Sequence, residues 1–575
     1  MSRCKFIVEL NRLSKSSSDS IDNIETFDNF KRYMHVPRNV EKDLKDVLRK
    51  VNLSSKKTLV LLCGSAGDGK SHLLSYLRNS DEEKLINGYK VYNDATESSA
   101  PLKTAIDTLS DVLIGFRDEN LERQGQSIIL AINLGVLSNF IESEYSCRYQ
   151  KLKYYVEKSN ILTSQINEKH YDYTSYFQHV SFSDYHMYSL TADGVSPDYI
   201  EEILKKIFAD DIHNPFYSTY SNDCAICTLS EKCPVKKNYE FMMNKVHQKF
   251  IARLLVKTTI KDKEIITTRE ILNYIYNILV AHNFSFTKYQ KLMINDANFL
   301  KEFIKEITPV LMFDYSDMTS LMNQIKKYDP LFIRSEEIDE QAVSYYVSSD
   351  VSKKIKQSLM GSPYASVLCN HNVLPIINDD KVLKSKIFNV LLRNEAMNIC
   401  DETDKIYSEY LKNLYYYNAG IKKKLQHIYS MVEDGIIQWC GSESNDNICL
   451  LNKYYGFTLY ENIKFNEHLD NIPPMNNMEK LQKFRPVVII DFEDKDNQEV
   501  ISLELDYSLY ELIYKLSNGY IQTADDRNNH ADFISFISKI LRTGSSSESV
   551  LVVSENGQKA KLEKTNFGYK FKVVR

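Results

Sequence analysis

Lys70 and Ser71 close an eight-residue string, Gly64-Ser65-Ala66-Gly67-Asp68-Gly69-Lys70-Ser71, with the spacing G-x-x-x-x-G-K-S. Each residue type suits a polyphosphate. Glycines let backbone N–H groups turn inward around an anion without a Cβ in the way, and a helix starting near Lys70 aims its positive end at the same charge. Lys70 is expected to reach the β- and γ-phosphates of a bound nucleotide and the Ser71 hydroxyl to hold Mg²⁺, with His72 ending the binding stretch. The whole chain has only 17 glycines in 575 residues, so three of them beside a Lys-Ser pair do not reflect a glycine-rich composition. The string predicts a P-loop with ATP and Mg²⁺ as its ligands.

Further groups are expected around it. Asp94 follows a strand-like run from Gly88, where a carboxylate either holds Mg²⁺ through water or simply ends a surface strand; Glu97 is placed to orient an attacking water. Asn133 closes the apolar run SIILAINL and either reads the γ-phosphate or caps the turn into Gly135. Arg269 lies near the start of a helix for which Thr268 is the expected N-cap. It is either a lid arginine folding back on the nucleotide or a helix-surface cation. A second constellation, Cys224-x2-Cys227-x5-Cys233-Pro234, can grip a soft metal at three positions as a zinc or iron–sulfur site. Its alternatives are reduced thiols pinning a loop and a redox switch; His213 and Cys147 are the nearest candidates for a fourth ligand.

These side chains need a scaffold. Residues 57–208 alternate apolar strand patterns with amphipathic helices, the pattern of a parallel α/β sheet. Residues 1–56 form a lead-in in which Tyr33-Met34-His35-Val36 either lies against a nucleotide base or packs as a linker; 209–285 carries the cysteines and a helical lid. A mostly helical region, 286–440, and an α+β domain, 441–575, complete the chain. Within 412–424, lysines and Tyr415, Tyr416 and Tyr417 alternate as they would on a nucleic-acid surface or on a solvated helix face.

Bulk composition excludes several classes. At −5 the net charge provides no global field for nucleic acid, so DNA contact is expected through a local patch or a companion subunit. No apolar run approaches the roughly 18 residues of a membrane helix. The opening MSRCKFIVELNRLSK lacks a signal-peptide core, and ten unevenly spaced cysteines suit a reducing cytoplasm. Asp491, Glu493 and Lys495 lack the separation a nuclease needs, and no His-Glu metal motif, nucleophile elbow or kinase signature occurs, leaving NTP hydrolysis as the supported chemistry.

The strings CGSAGDGKSHLL, VYNDATESSAPLKTAIDTL and IILAINLGVLSNF, the cysteine segment, and ITTREILNYI together resemble the DptF (DndF) family of phosphorothioation-dependent DNA restriction proteins. The resemblance implies an AAA+/STAND-like P-loop NTPase core with a helical lid. It also implies a bacterial cytoplasmic ATPase subunit of an anti-phage defence complex that attacks DNA lacking a sulfur backbone mark. Its implied partners are DptG-like and DptH-like subunits, with DNA engaged through the complex and a homo-oligomer as a further option. Gly64 to Ser71 carry the nucleotide role over, with Asp94 and Asn133 at matching positions.

Overall fold

The computed structural model describes residues 4–574 apart from 16–27, 55, 66, 94–103, 163–170, 334–335, 349–350, 400–403, 443–446, 463–464, 477, 495–498, 544–548 and 566–567. Two compact units emerge, one of Met1–Tyr188 with Pro197–Asp401, the other of Ser189–Ser196 with Glu402–Arg575.

The first unit is built on four parallel strands, β1 (Leu59–Cys63), β2 (Lys90–Tyr92), β3 (Ile128–Ile132) and β4 (Phe177–Ser181), ordered β2-β3-β1-β4. The two central strands read LVLLC and IILAI because both of their faces are covered. Leu59, Leu61, Ile128, Leu130 and Ile132 point to one side, where they pack with Leu109, Phe116, Phe140 and Leu152. Val60, Leu62, Ile129 and Ala131 point to the other, against Leu44, Val47 and Leu48 of the Asn39–Asn52 helix and Leu73, Leu74 and Leu77 of the Lys70–Ser80 helix. Alternation with period two therefore sorts one apolar strand into two cores.

Beyond the sheet the unit is helical, with helices that include Asp198–Phe208, Pro215–Ile226, Pro234–Met242, Lys245–Asp262, Thr268–Leu279 and Lys381–Asn398. Two buried polar devices tie these together. Asn238 donates to the carbonyls of Leu279 (3.0 Å) and Glu306 (2.8 Å) and accepts from Thr308 N and the Tyr364 hydroxyl, both at 2.9 Å. Arg393, 3% exposed, donates to both oxygens of Asp329, which is 1% exposed, and to Asp314 at 2.6 Å.

The second unit combines the hairpin β5 (Ser189–Thr191) and β6 (Gly194–Ser196) with elements far along the chain; Leu190 bridges Leu481. Its strands are β7 (Asn447–Tyr454), β8 (Phe457–Asn462), β9 (Glu467–His468), β10 (Val488–Asp494), β11 (Glu499–Leu505), β12 (Ser549–Ser554), β13 (Lys559–Thr565) and β14 (Gly568–Val574). They form antiparallel sheets ordered β11-β10-β9 and β14-β13-β12-β8-β7. The Lys405–Asn418 and Gln426–Cys440 helices belong to this unit rather than to the helices before residue 400. The basic and aromatic stretch is here split by burial. Tyr415 and Tyr417 are buried, Tyr417 receiving a hydrogen bond from Arg485 (3.3 Å), so these rings serve the core and do not form a stacking surface, while Lys422, Lys423 and Lys424 are exposed. Among the described residues no helix is long and apolar enough to cross a membrane.

Candidate functional site

The glycine-rich loop leaves the carboxyl end of β1 and runs into the Lys70–Ser80 helix. Ligands of open parallel sheets gather at this edge. Gly64 admits no side chain: a Cβ there would stand 2.8 Å from Asp68 Oδ2 and 2.9 Å from Phe182 Cβ. Gly69 adopts φ +99° and serves as the helix N-cap without a side-chain capping bond, so the first-turn N–H groups are not closed off by their own cap. Lys70 and Ser71 lie on that first turn. Ser65 N donates to Asp68 Oδ2 at 2.5 Å, which folds the loop back on itself. Burial pushes the Asp68 carboxyl above its ordinary range, although the Ser65 bond and the charges of Lys70 and Arg38 pull the other way. Ala66 lies outside the described residues.

Lys70 is 8% exposed, and its ammonium donates to Gly64 O (3.0 Å), Ser65 O (2.6 Å) and Asn133 Oδ1 (3.1 Å). Asn133 is the N-cap of the Leu134–Glu142 helix, yet makes no side-chain cap bond. Its amide oxygen turns to Lys70 instead. The β3 strand, which Asn133 follows, lies between β1 and β2 and runs parallel to both, so Tyr92 and Asn93 lie toward the same sheet edge. Asn93, the last described residue there, has a buried Oδ1 with no hydrogen-bond partner among the described residues. Asp94 and Glu97 lie outside the described residues.

The helix carrying Arg269 begins beside the loop. Its N-cap is Thr267, not the expected Thr268: Thr267 Oγ1 accepts from Glu270 N (3.3 Å) while Glu270 Oε2 accepts from Thr267 N (2.8 Å). This capping box requires a glutamate three residues on, which only Thr267 has. Thr268 bonds Tyr199 through its hydroxyl at 2.9 Å. Gly67, with φ +87°, faces Thr267 so closely that a Cβ would fall 3.0 Å from its Cγ2. Arg269 is thus two residues from a direct loop contact. Gly67→Ala is expected to weaken nucleotide binding about tenfold, since a left-handed alanine costs about 1–2 kcal/mol before Thr267 has to move. Titration of fluorescent nucleotide into the two proteins measures it.

Two residues of the lead-in reach the site, Arg38, which no local pattern announces, and His35, from the segment 33–36. Arg38 donates to Asp68 O (3.2 Å) and Tyr185 O (3.1 Å), with its guanidinium over the Tyr199 ring at 4.9 Å, and so clips the loop to neighbouring elements. His35 stacks on Tyr76 with 3.6 Å between ring centroids and bonds His72 (3.1 Å) and Glu41 (3.0 Å). Lys45 continues this chain to Glu41 at 2.9 Å. His35 therefore packs on the Lys70–Ser80 helix, while Tyr33 donates its hydroxyl to Lys206 O at 2.7 Å.

Burial first, then the charges of His35 and Lys31, push His72 from an ordinary 6.5 down to about 4. An unfolded chain binds this proton more readily than the folded one, so the contribution is complete above about pH 6.5 and is lost as pH falls toward 4. Melting curves from pH 7 to 4.5 are expected to show a steeper loss of stability for the native protein than for His72→Gln.

Of the cysteine constellation, Cys224 sits in the last turn of the Pro215–Ile226 helix, Cys227 is its C-cap and Cys233 is the N-cap of the Pro234–Met242 helix. His213 precedes the opposite end of the first of these helices, about 16 Å away along its axis, and Cys147 lies in the helical turn Glu144–Arg148 after β3. His213 does not extend the cysteine group. Among the described residues no three His, Cys, Asp or Glu side chains stand close enough together to hold a single metal ion. No protein-family model, no curated protein and no solved structure matches this chain.

Proposed function

We propose that this protein is an ATP-binding and ATP-hydrolysing subunit of a phosphorothioation-dependent DNA restriction complex. The observation that carries the nucleotide part is the Lys70 ammonium, drawn in by two loop carbonyls and Asn133 at the carboxyl edge of a parallel sheet, beside a helix N-terminus with no side-chain cap. An arriving polyphosphate offers Lys70 stronger, charged acceptors than the neutral oxygens it now bonds. Ser71 on the same turn is the residue that would hold Mg²⁺, which neutralises charge on a phosphoryl group when bound. Asn133, close to Lys70, donates through its amide to the γ-phosphate. Arg269 follows Thr267 by two residues on the helix that stands against Gly67, and in this reading loading and loss of the γ-phosphate change that packing.

The restriction role rests on the resemblance of the loop, strand and cysteine strings to the DptF family. DptG-like and DptH-like subunits are then the partners, and DNA is reached through them, in keeping with a net charge of −5. The deciding experiment measures ATP turnover by the purified protein and by Asn133→Ala, alone and with DNA and the two partners. A partner- or DNA-stimulated rate that falls in the variant supports a motor or licensing subunit. Tight ATP binding with no turnover in any mixture overturns hydrolysis and leaves a nucleotide switch or an assembly subunit.

A further inference from the structure

The β13–β14 hairpin of the second unit carries unlike chemistry on its two faces. β14 runs antiparallel to β13, with Phe571 opposite Leu562, Val573 opposite Ala560 and Lys572 opposite Lys561. Residues directly opposite share a face, and side chains alternate along each strand. Tyr569, Phe571 and Val573 therefore lie on one side of β14, and Lys570 and Lys572 on the other. The three apolar side chains are 71%, 63% and 69% exposed, and both lysines are exposed as well. On the apolar side the register continues through Leu562 to Val550 of β12, both only half-buried. Among the described residues β14 pairs with β13 alone, which leaves one of its backbone edges open. Such an edge is a template for another extended chain.

Charge decides which chain fits. The two strands, KAKLEKT and GYKFKVV, hold five lysines and one glutamate. That glutamate, Glu563, pairs with Lys561 at 3.3 Å and also stands opposite Lys570. Lys572 faces Lys561 directly, a like-charge pair that costs stability within the sheet and that an added carboxylate offsets. A second copy fits badly. Laid antiparallel on itself about Phe571, β14 sets Lys570 of each copy against Lys572 of the other, which repeats the same repulsion. A segment in which acidic and apolar residues alternate suits both sides at once. Its carboxylates fall beside Lys570 and Lys572, and its apolar side chains extend the stripe of Tyr569, Phe571 and Val573.

We propose that β14 is the docking edge for an extended segment of a partner protein, with alternating acidic and apolar residues, which adds to this sheet as a further strand. Main-chain hydrogen bonds hold the segment, and the two faces of the hairpin select its sequence. The lysines that keep the edge from pairing with itself are the groups that admit this partner.

The test titrates full-length protein into fluorescein-labelled Glu-Val-Glu-Val-Glu-Val-Glu, into Lys-Val-Lys-Val-Lys-Val-Lys, and into the acidic peptide methylated at every backbone nitrogen, with anisotropy as the readout. Saturable binding of the unmethylated acidic peptide alone is expected. Affinity is expected to fall about tenfold or more in Lys570→Glu/Lys572→Glu, and that variant is expected to bind the lysine peptide instead. A gained ligand is not a product of misfolding. Failure of the native protein to bind the acidic peptide, equal binding of the methylated form, or unchanged affinity in the variant overturns the proposal. A labelled DNA duplex that binds the native protein and not the variant, without acidic-peptide binding, assigns the lysines to phosphate and overturns it. A native dimer in sedimentation that Phe571→Glu disperses gives the edge to a second copy and overturns it as well.

Discussion

Lys70→Ala is expected to reduce ATP hydrolysis by about 10²–10³-fold, the usual cost of deleting one donor aimed at developing charge. The same change is expected to abolish stabilisation by nucleotide. At a hundred times Kd, MgATP stabilises a binding protein by about 2.7 kcal/mol, and a chain without the ammonium forfeits this shift. Lys70 also organises the loop itself, because its three bonds draw Gly64 O, Ser65 O and Asn133 Oδ1 toward one point. A comparison of unliganded melting temperatures separates the two roles: a small drop without ligand and a complete loss of the ligand-induced shift is the expected pair. Undiminished turnover in Lys70→Ala would remove the nucleotide reading altogether.

Arg393→Met is expected to be the most destabilising single change outside the site. The guanidinium is the partner of Asp329, itself fully enclosed, and also holds Asp314 and the Pro309 carbonyl. Removing one member of a buried pair leaves an uncompensated charge and costs about 3–5 kcal/mol. Urea unfolding of the full chain should show the loss in the transition that involves the first unit. Replacing Asp329 by leucine in the same chain should recover much of it, because the desolvated carboxylate is then gone. A double variant no more stable than Arg393→Met would mean that the helices depend on the ion pair's geometry itself.

Local features of the site are legible in the sequence to the extent that they are contiguous. Gly64 to Ser71 needs only a strand, a turn and a helix, three successive pieces of chain, and all three form where the pattern places them. The continuous apolar runs at β1 and β3 likewise announce strands covered on both faces. The helix start near Arg269 is also written locally, but as a pair of threonines, and the choice between them lies with Glu270, a capping-box partner three residues beyond Thr267. The tyrosines of 412–424 show the limit of composition. Aromatic rings beside lysines describe a nucleic-acid surface and a buried helix face equally well, and the neighbours that bury Tyr415 and Tyr417 come from distant segments.

Other parts of the molecule depend on pairs of residues that no window of sequence contains. Arg38 reaches Asp68 and Tyr185, and the hairpin 189–196 joins a unit otherwise made of residues beyond 401. Lys5 meets Asp223 only after the chain has closed a loop of more than two hundred residues. By itself the sequence determines the glycine-rich turn between strand and helix, the β1 and β3 strands and the spacing of the three cysteines, because backbone geometry and side-chain periodicity act over a few residues. Only the tertiary structure decides that Asn133 turns to Lys70 and that Thr267 stands against Gly67. Those contacts form because two apolar faces of one sheet, and the helices packed beyond it, must be buried together, and that burial selects which distant residues meet.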